Sequence, residues 1–182
     1  MQKFILLLSA LFLVVCTSAR TGLSSRSALK KILLCGAEYE NWAWGYHHYA
    51  LYVDNTGNID SVKYTLGDSS WTVGRKGVYS EVEIQRLLKN AIKISRKIPE
   101  DTLKMILKLI KPASEGKYTE PVNTMADAGS TSFFAFLYDS LSHSFKKFDL
   151  SAQGDWKYEN TSESARRLDE LLRTLLKGKR WW

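Results

Sequence analysis

The chain has 182 residues, 45% of them hydrophobic and 12% aromatic, with two cysteines and a formal net charge of +7. That length and apolar content suit one domain with a packed core and argue against a disordered chain. Only Cys35 lies outside the leader described next, so a disulfide framework is excluded. No His-Glu-x-x-His, Cys-x-x-Cys or phosphate-cradling glycine loop points to metal or nucleotide chemistry.

Residues 1–19 read as a secretory signal peptide: Lys3, then the run Phe4 to Val15, apolar but for Ser9, then Cys16-Thr17-Ser18-Ala19. As a helix that run spans about 18 Å against a hydrocarbon core of roughly 30 Å, too short for a transmembrane anchor. Cleavage after Ala19 is expected, which leaves 163 residues and, with Lys3 gone, a net charge of +6. Leu13-Val14-Val15-Cys16 offers an alternative, a lipidated Cys16 that tethers the protein to a membrane without spanning it. Val15 stands where a lipoprotein signal usually has a small residue. The expected location is therefore secreted or periplasmic, with membrane anchoring through Cys16 as the alternative.

Lys31 to Gly36 reads as a short buried strand and His48 to Asp54 as a second, rich in aromatic and branched residues. Asn55-Thr56-Gly57-Asn58 supplies turn chemistry, so Ile59, Val62, Tyr64 and Leu66 continue as a third strand. Gly67 to Tyr79 reads as a loop. Ser80 with Glu83 forms a capping-box pattern and opens a helix with the buried stripe Ile84, Leu87, Leu88 and Ala91, which Pro99 ends or kinks.

Leu103, Ile106, Leu107 and Ile110 define a second helix that stops near Lys111-Pro112, and residues 113–128 look irregular. Ser132 to Tyr138 and Phe145 to Leu150 form another hairpin around Asp139 to Ser144. Asn160 and Glu163 propose a second capping box, before a last helix with Leu168, Leu171, Leu172 and Leu175 on its apolar face. The order predicts a single α+β domain over residues 20–182. Its antiparallel sheet is built from two hairpins plus an N-terminal strand, with about three helices packed on it.

The densest chemical cluster is Trp42-Ala43-Trp44-Gly45-Tyr46-His47-His48-Tyr49. Aromatic side chains with polar tips suit a carbohydrate or peptide groove, which makes Trp42, Trp44, Tyr46 and His47 the candidate binding residues. The competing expectation is that Trp42 and Trp44, at a strand entry, fill the core. His47 and His48 are adjacent, so on a strand they face opposite ways and cannot share one metal ion, and His143 sits in a turn without ligand company. No metal or cofactor is expected. Cys35, inside an apolar strand, reads as packing and not as a nucleophile.

Asp127 and Asp155 each lie beside a glycine; with His48 they form the acid–base candidates for a hydrolase of an envelope polymer. The leading expectation for the same aspartates is turn closure, by bonding their own backbone amides. Basic residues recur at helical spacing, first Arg86, Lys89, Lys93, Arg96 and Lys97, then Lys104, Lys108 and Lys111. They are either solvated helix faces or a surface for an anionic partner. No nucleic-acid motif is present. The tail Lys177 to Trp182 mixes cations with tryptophan, as at membrane interfaces, or simply frays.

Three segments carry a resemblance: Glu38 to Tyr46 continuing to Val53-Asp54-Asn55-Thr56-Gly57-Asn58, Asp127-Ala128-Gly129-Ser130-Thr131, and Gly154-Asp155-Trp156-Lys157-Tyr158-Glu159-Asn160. In this order behind a signal, they resemble a group of secreted or lipidated bacterial proteins of unknown function. The resemblance implies an extracytoplasmic location and a single domain, and brings no catalytic residues with it. The function expected from the chain is non-enzymatic: an interaction domain binding a protein, glycan or envelope component. A hydrolase and a lipid-anchored surface protein are the alternatives.

Overall fold

The sheet begins with a hairpin that the sequence pattern did not announce. In the computed structural model, which describes residues 31–66 and 77–177, β1 (Leu33–Asn41) pairs antiparallel with β2 (His47–Asp54), Asn41 lying opposite His47. The leader, most of the loop after Leu66 and the tail from Gly178 onward lie outside the described residues. β1 outruns its apolar segment because Glu38, Tyr39 and Glu40 continue the same pairing to β2.

β3 (Ile59–Tyr64) follows the expected turn. There the Asp54 carboxylate accepts from the backbone amides of Thr56 and Asn58, from the Thr56 hydroxyl and from the Asn58 amide. Burial pushes the Asp54 carboxyl up, but these bonds hold it below its usual range. Gly57, at φ 79°, is required here, since a Cβ would stand 3.0 Å from the Ile98 carbonyl oxygen.

The remaining elements are β4 (Val78–Ser80), α1 (Glu81–Leu87), β5 (Ile92–Ile94), α2 (Glu100–Ala113), β6 (Val122–Asn123), β7 (Ser130–Asp139), β8 (Ser144–Gly154), β9 (Trp156–Glu159) and α3 (Glu163–Leu176). The strand order is β5-β3-β2-β1-β7-β8-β9-β6, with β4 also on β8. Every pairing between these strands is antiparallel. The described residues thus form an α+β fold of three helices on one open nine-stranded sheet.

Both faces of the sheet are covered, which is why Phe133-Phe134-Ala135-Phe136 is apolar without alternation. Cys35, Ala37, Leu51, Val53, Phe133, Ala135 and Leu150 pack under α2 and α3. Burial pushes the Cys35 thiol far up, so it is inert packing. On the other face Ala50, Tyr52, Val62, Tyr64, Phe134, Phe136 and Phe145 meet Tyr79 and the α1 residues Ile84 and Leu87.

Three local expectations are corrected. The capping box at Ser80 and Glu83 forms, but α1 stops at Leu87 and residues 92–94 instead pair with the open edge of β3. Arg86 therefore sits on a helix, Lys93 on a strand and Lys89 in the turn between, so the first basic run is not one helical face. α2 ends at Ala113, near the expected stop, with Pro112 inside its last turn. The cap of α3 is Ser162, whose hydroxyl accepts from the Ala165 amide at 3.1 Å. Asn160 is buried instead, donating to the Ala113 carbonyl and accepting from the Ser162 amide, both at 3.0 Å.

Candidate functional site

Strand register brings several connections to one end of the sheet. β1 ends there at Asn41 and β2 begins at His47; β7 begins at Ser130 opposite the end of β8 at Gly154. β6 ends there at Asn123 opposite Trp156, the first residue of β9. The loop Trp42 to Tyr46 runs past the end of β1 and turns at Gly45, whose φ of 104° favours glycine. Its first turn is held by the Asn41 side-chain oxygen, which accepts from the Ala43 amide at 2.9 Å.

Beyond the strand ends no helix or strand among the described residues covers this loop, and Trp42 is 48% exposed and Trp44 79% exposed. The core-filling expectation for these two residues is thereby overturned. Trp42 is nevertheless oriented: its indole N–H donates to Glu40 at 2.6 Å and its ring lies 4.7 Å from that of Tyr46. Met125 and Trp156, both about half exposed, sit at the same end. His47 points away from His48 and stacks on Tyr49.

A shallow depression of about 300 Å³ adjoins Trp42, lined by Glu40, Asn41, Asp127, Ser130 and Asp155. The structure therefore brings Asp127 and Asp155 together. Two tight approaches make this possible. A Cβ on Gly154 would stand 1.9 Å from the Gly129 carbonyl oxygen, and one on Gly129 2.7 Å from that of Glu40. Asp155 closes the turn as expected of its type, its carboxylate accepting from the Ala128 amide at 2.8 Å.

His48, the third acid–base candidate, does not line the depression. It is buried on the α1 side of the sheet with both ring nitrogens engaged. One lies 2.5 Å from a Glu38 carboxylate oxygen and the other 2.9 Å from the Tyr46 hydroxyl. The second Glu38 oxygen accepts from Lys147 at 2.8 Å, and that ammonium sits 4.2 Å above the Phe134 ring. Below them the Tyr52 and Tyr64 hydroxyls share a hydrogen bond of 2.6 Å.

The electrostatics follow. Burial pushes Glu38 up, but Lys147 and His48 outweigh it and carry its pKa down to about 2. Burial lowers Lys147, and the Glu38 and Asp149 carboxylates more than reverse that. Burial holds Tyr52 and Tyr64 well above the usual tyrosine range. This network supports the loop from beneath, since it fixes Tyr46 and Tyr46 packs on Trp42.

Sequence reasoning missed Glu38 and Lys147, which are 109 positions apart and meet only through the β1–β7–β8 register. The available signal was parity: Lys147 shares a strand face with Phe145, as Glu38 does with Gly36. Among the described residues, no group of three His, Cys, Asp or Glu is arranged to hold a metal ion. No helix among them is long and apolar enough to cross a membrane. Comparison with protein-family models, curated proteins and solved structures gives no match to this chain.

Proposed function

We propose that the protein is a non-enzymatic recognition domain, secreted or envelope-associated, that captures a protein or glycan partner with the tryptophan end of its sheet. The observation that carries this is the exposure of Trp42 and Trp44 on a loop held by Asn41, Glu40 and Tyr46. Covering two such indoles removes enough apolar surface to contribute on the order of 5 kcal/mol before entropic costs. Preorganisation lowers those costs, because the Trp42 ring is already oriented. The leader pattern of residues 1–19 supports the extracytoplasmic address.

Site-specific photo-crosslinking tests it. A photoreactive aromatic side chain at position 44 is expected to trap one discrete envelope partner. The same group at position 141, on the turn at the opposite end of the β7–β8 hairpin, is expected to trap none. Equal trapping from both positions contradicts the proposal.

A second reading, hydrolysis of an envelope polymer, draws on Asp127 and Asp155 sharing one depression. It requires chain cleavage by the wild type that Asp127→Asn and Asp155→Asn abolish. The binding reading predicts no cleavage by any of the three.

A further inference from the structure

A larger concavity lies along β8, away from the tryptophan end. The outer edge of β8 pairs with β4 at Ser144 to Lys146 and with β9 at Ser151 and Ala152. Between these contacts it has no strand partner among the described residues. Single bonds cap the edge there: Lys147 donates its amide to the Gly77 carbonyl, and the Leu150 carbonyl accepts from the Asn160 amide. A cleft of about 760 Å³ opens at this break, walled by Tyr118, Pro121 and Tyr158 and floored by Lys147, Phe148 and Asp149. That volume lies within the range of small-ligand sites.

The cleft is built, not incidental. Tyr118 meets Tyr158 edge to face, with centroids 6.1 Å apart at 78°. Its hydroxyl donates to the Asp149 carbonyl at 3.1 Å, while its ring stays about half exposed. Tyr158 donates to one Asp149 carboxylate oxygen at 2.6 Å; the other accepts from no described residue. Of the lining charges, Lys147 is bonded to Glu38 and Asp149 holds Tyr158, while Lys146 and Glu120 add one charge of each sign.

An anionic ligand would meet Lys146 but also face Asp149 and Glu120, with Lys147 already held by Glu38. A cationic one would meet Lys146 and Lys147. A neutral molecule with an apolar face and several hydroxyl donors disturbs neither arrangement. Its face covers the exposed ring of Tyr118 and its hydroxyls supply the donors that Asp149 lacks.

We infer that this cleft is a saccharide site, with Tyr118 as the stacking platform and Asp149 as the hydroxyl acceptor. It is separate from the proposed partner surface and does not rest on it. The mature protein would be titrated by nuclear magnetic resonance with maltotriose, cellotriose, mannotriose and chitotriose, each to about 10 mM, which captures even weak binding. At least one is expected to give saturable shifts at Tyr118, Asp149 and Tyr158. Tyr118→Ala and Asp149→Asn are expected to weaken that binding at least tenfold, Tyr118→Phe to retain it, and the Trp42→Ala/Trp44→Ala protein to bind as the wild type does. No shifts with any of the four, binding that survives both Tyr118→Ala and Asp149→Asn, or loss of binding in the tryptophan variant alone would each overturn the assignment. The spectrum of each variant reports its fold, and if Tyr118→Ala unfolds, binding that survives Asp149→Asn alone overturns the assignment.

Discussion

Glu38 and Lys147 form an ion pair of 2.8 Å on the α1 side of the sheet, each side chain less than a fifth exposed. Removing one partner of such a pair leaves a charge largely out of water, which typically costs about 3–5 kcal/mol. Lys147→Met is therefore expected to destabilise the protein by about 3 kcal/mol in urea unfolding. The double variant Glu38→Leu/Lys147→Met is expected to lose less than the two single variants added together. Additive losses would mean that the two groups do not act as a pair.

Acid stability follows from the same pair. The Glu38 pKa falls from an ordinary 4.5 to about 2 in the folded protein. A depressed carboxyl contributes stability that is present above its unfolded value and lost as pH falls toward its folded value. That shift corresponds to about 3 kcal/mol, lost between pH 4.5 and pH 2. Urea midpoints measured from pH 6 to pH 2 should show this loss in the wild type and a shallower slope in Glu38→Gln. Identical slopes would remove Glu38 from the account of acid unfolding.

His48 links the buried pair to the exposed loop. Its replacement by alanine takes away a partner of the Tyr46 hydroxyl and one of the two side chains bonded to Glu38. His48→Ala is expected to cost about 2–4 kcal/mol in unfolding free energy. It should also change the tryptophan emission, because Tyr46 supports Trp42. An unaltered emission spectrum would show that the loop keeps its form without the network.

The corrected helix cap makes a separate prediction. Ser162→Ala removes one part-buried capping bond and should cost about 1 kcal/mol. Asn160→Ala leaves the Ser162 amide without its partner and the Ala113 carbonyl with only a 3.3 Å bond from the Gly116 amide, and should cost about 2–3 kcal/mol. Chemical denaturation of the two variants orders them, and the reverse order would restore Asn160 as the cap.

These corrections share a physical origin. The hairpin around Gly57, the β7–β8 hairpin and the helices at 100–113 and 163–176 were legible because local turn chemistry and apolar periodicity agreed there. The last five residues of β1 were not, since Glu38 and Glu40 interrupt the apolar pattern and their partners come from elsewhere in the chain. Helical spacing of Arg86, Lys89 and Lys93 suggested a long helix, yet the open edge of β3 took residues 92–94 as a strand. Asn160 matched a capping-box spacing, but its burial against α2 decided its partners.

The site divides in the same way. Trp42, Trp44, Asp127 and Asp155 stood out by residue type and by their neighbouring glycines. That the two aspartates share a depression depends on Ser130 pairing with Gly154. The Glu38–Lys147 contact depends on three strands in register, which no local pattern encodes.

The most direct test of the tryptophan end as a recognition surface is the saturable binding of the mature protein to an envelope preparation, compared between wild type and Trp42→Ala/Trp44→Ala. The account predicts that the double variant loses at least tenfold in affinity. It also predicts a melting temperature within a few degrees of wild type, as expected where the substituted side chains are exposed. Undiminished binding, or unfolding of the double variant, would contradict it.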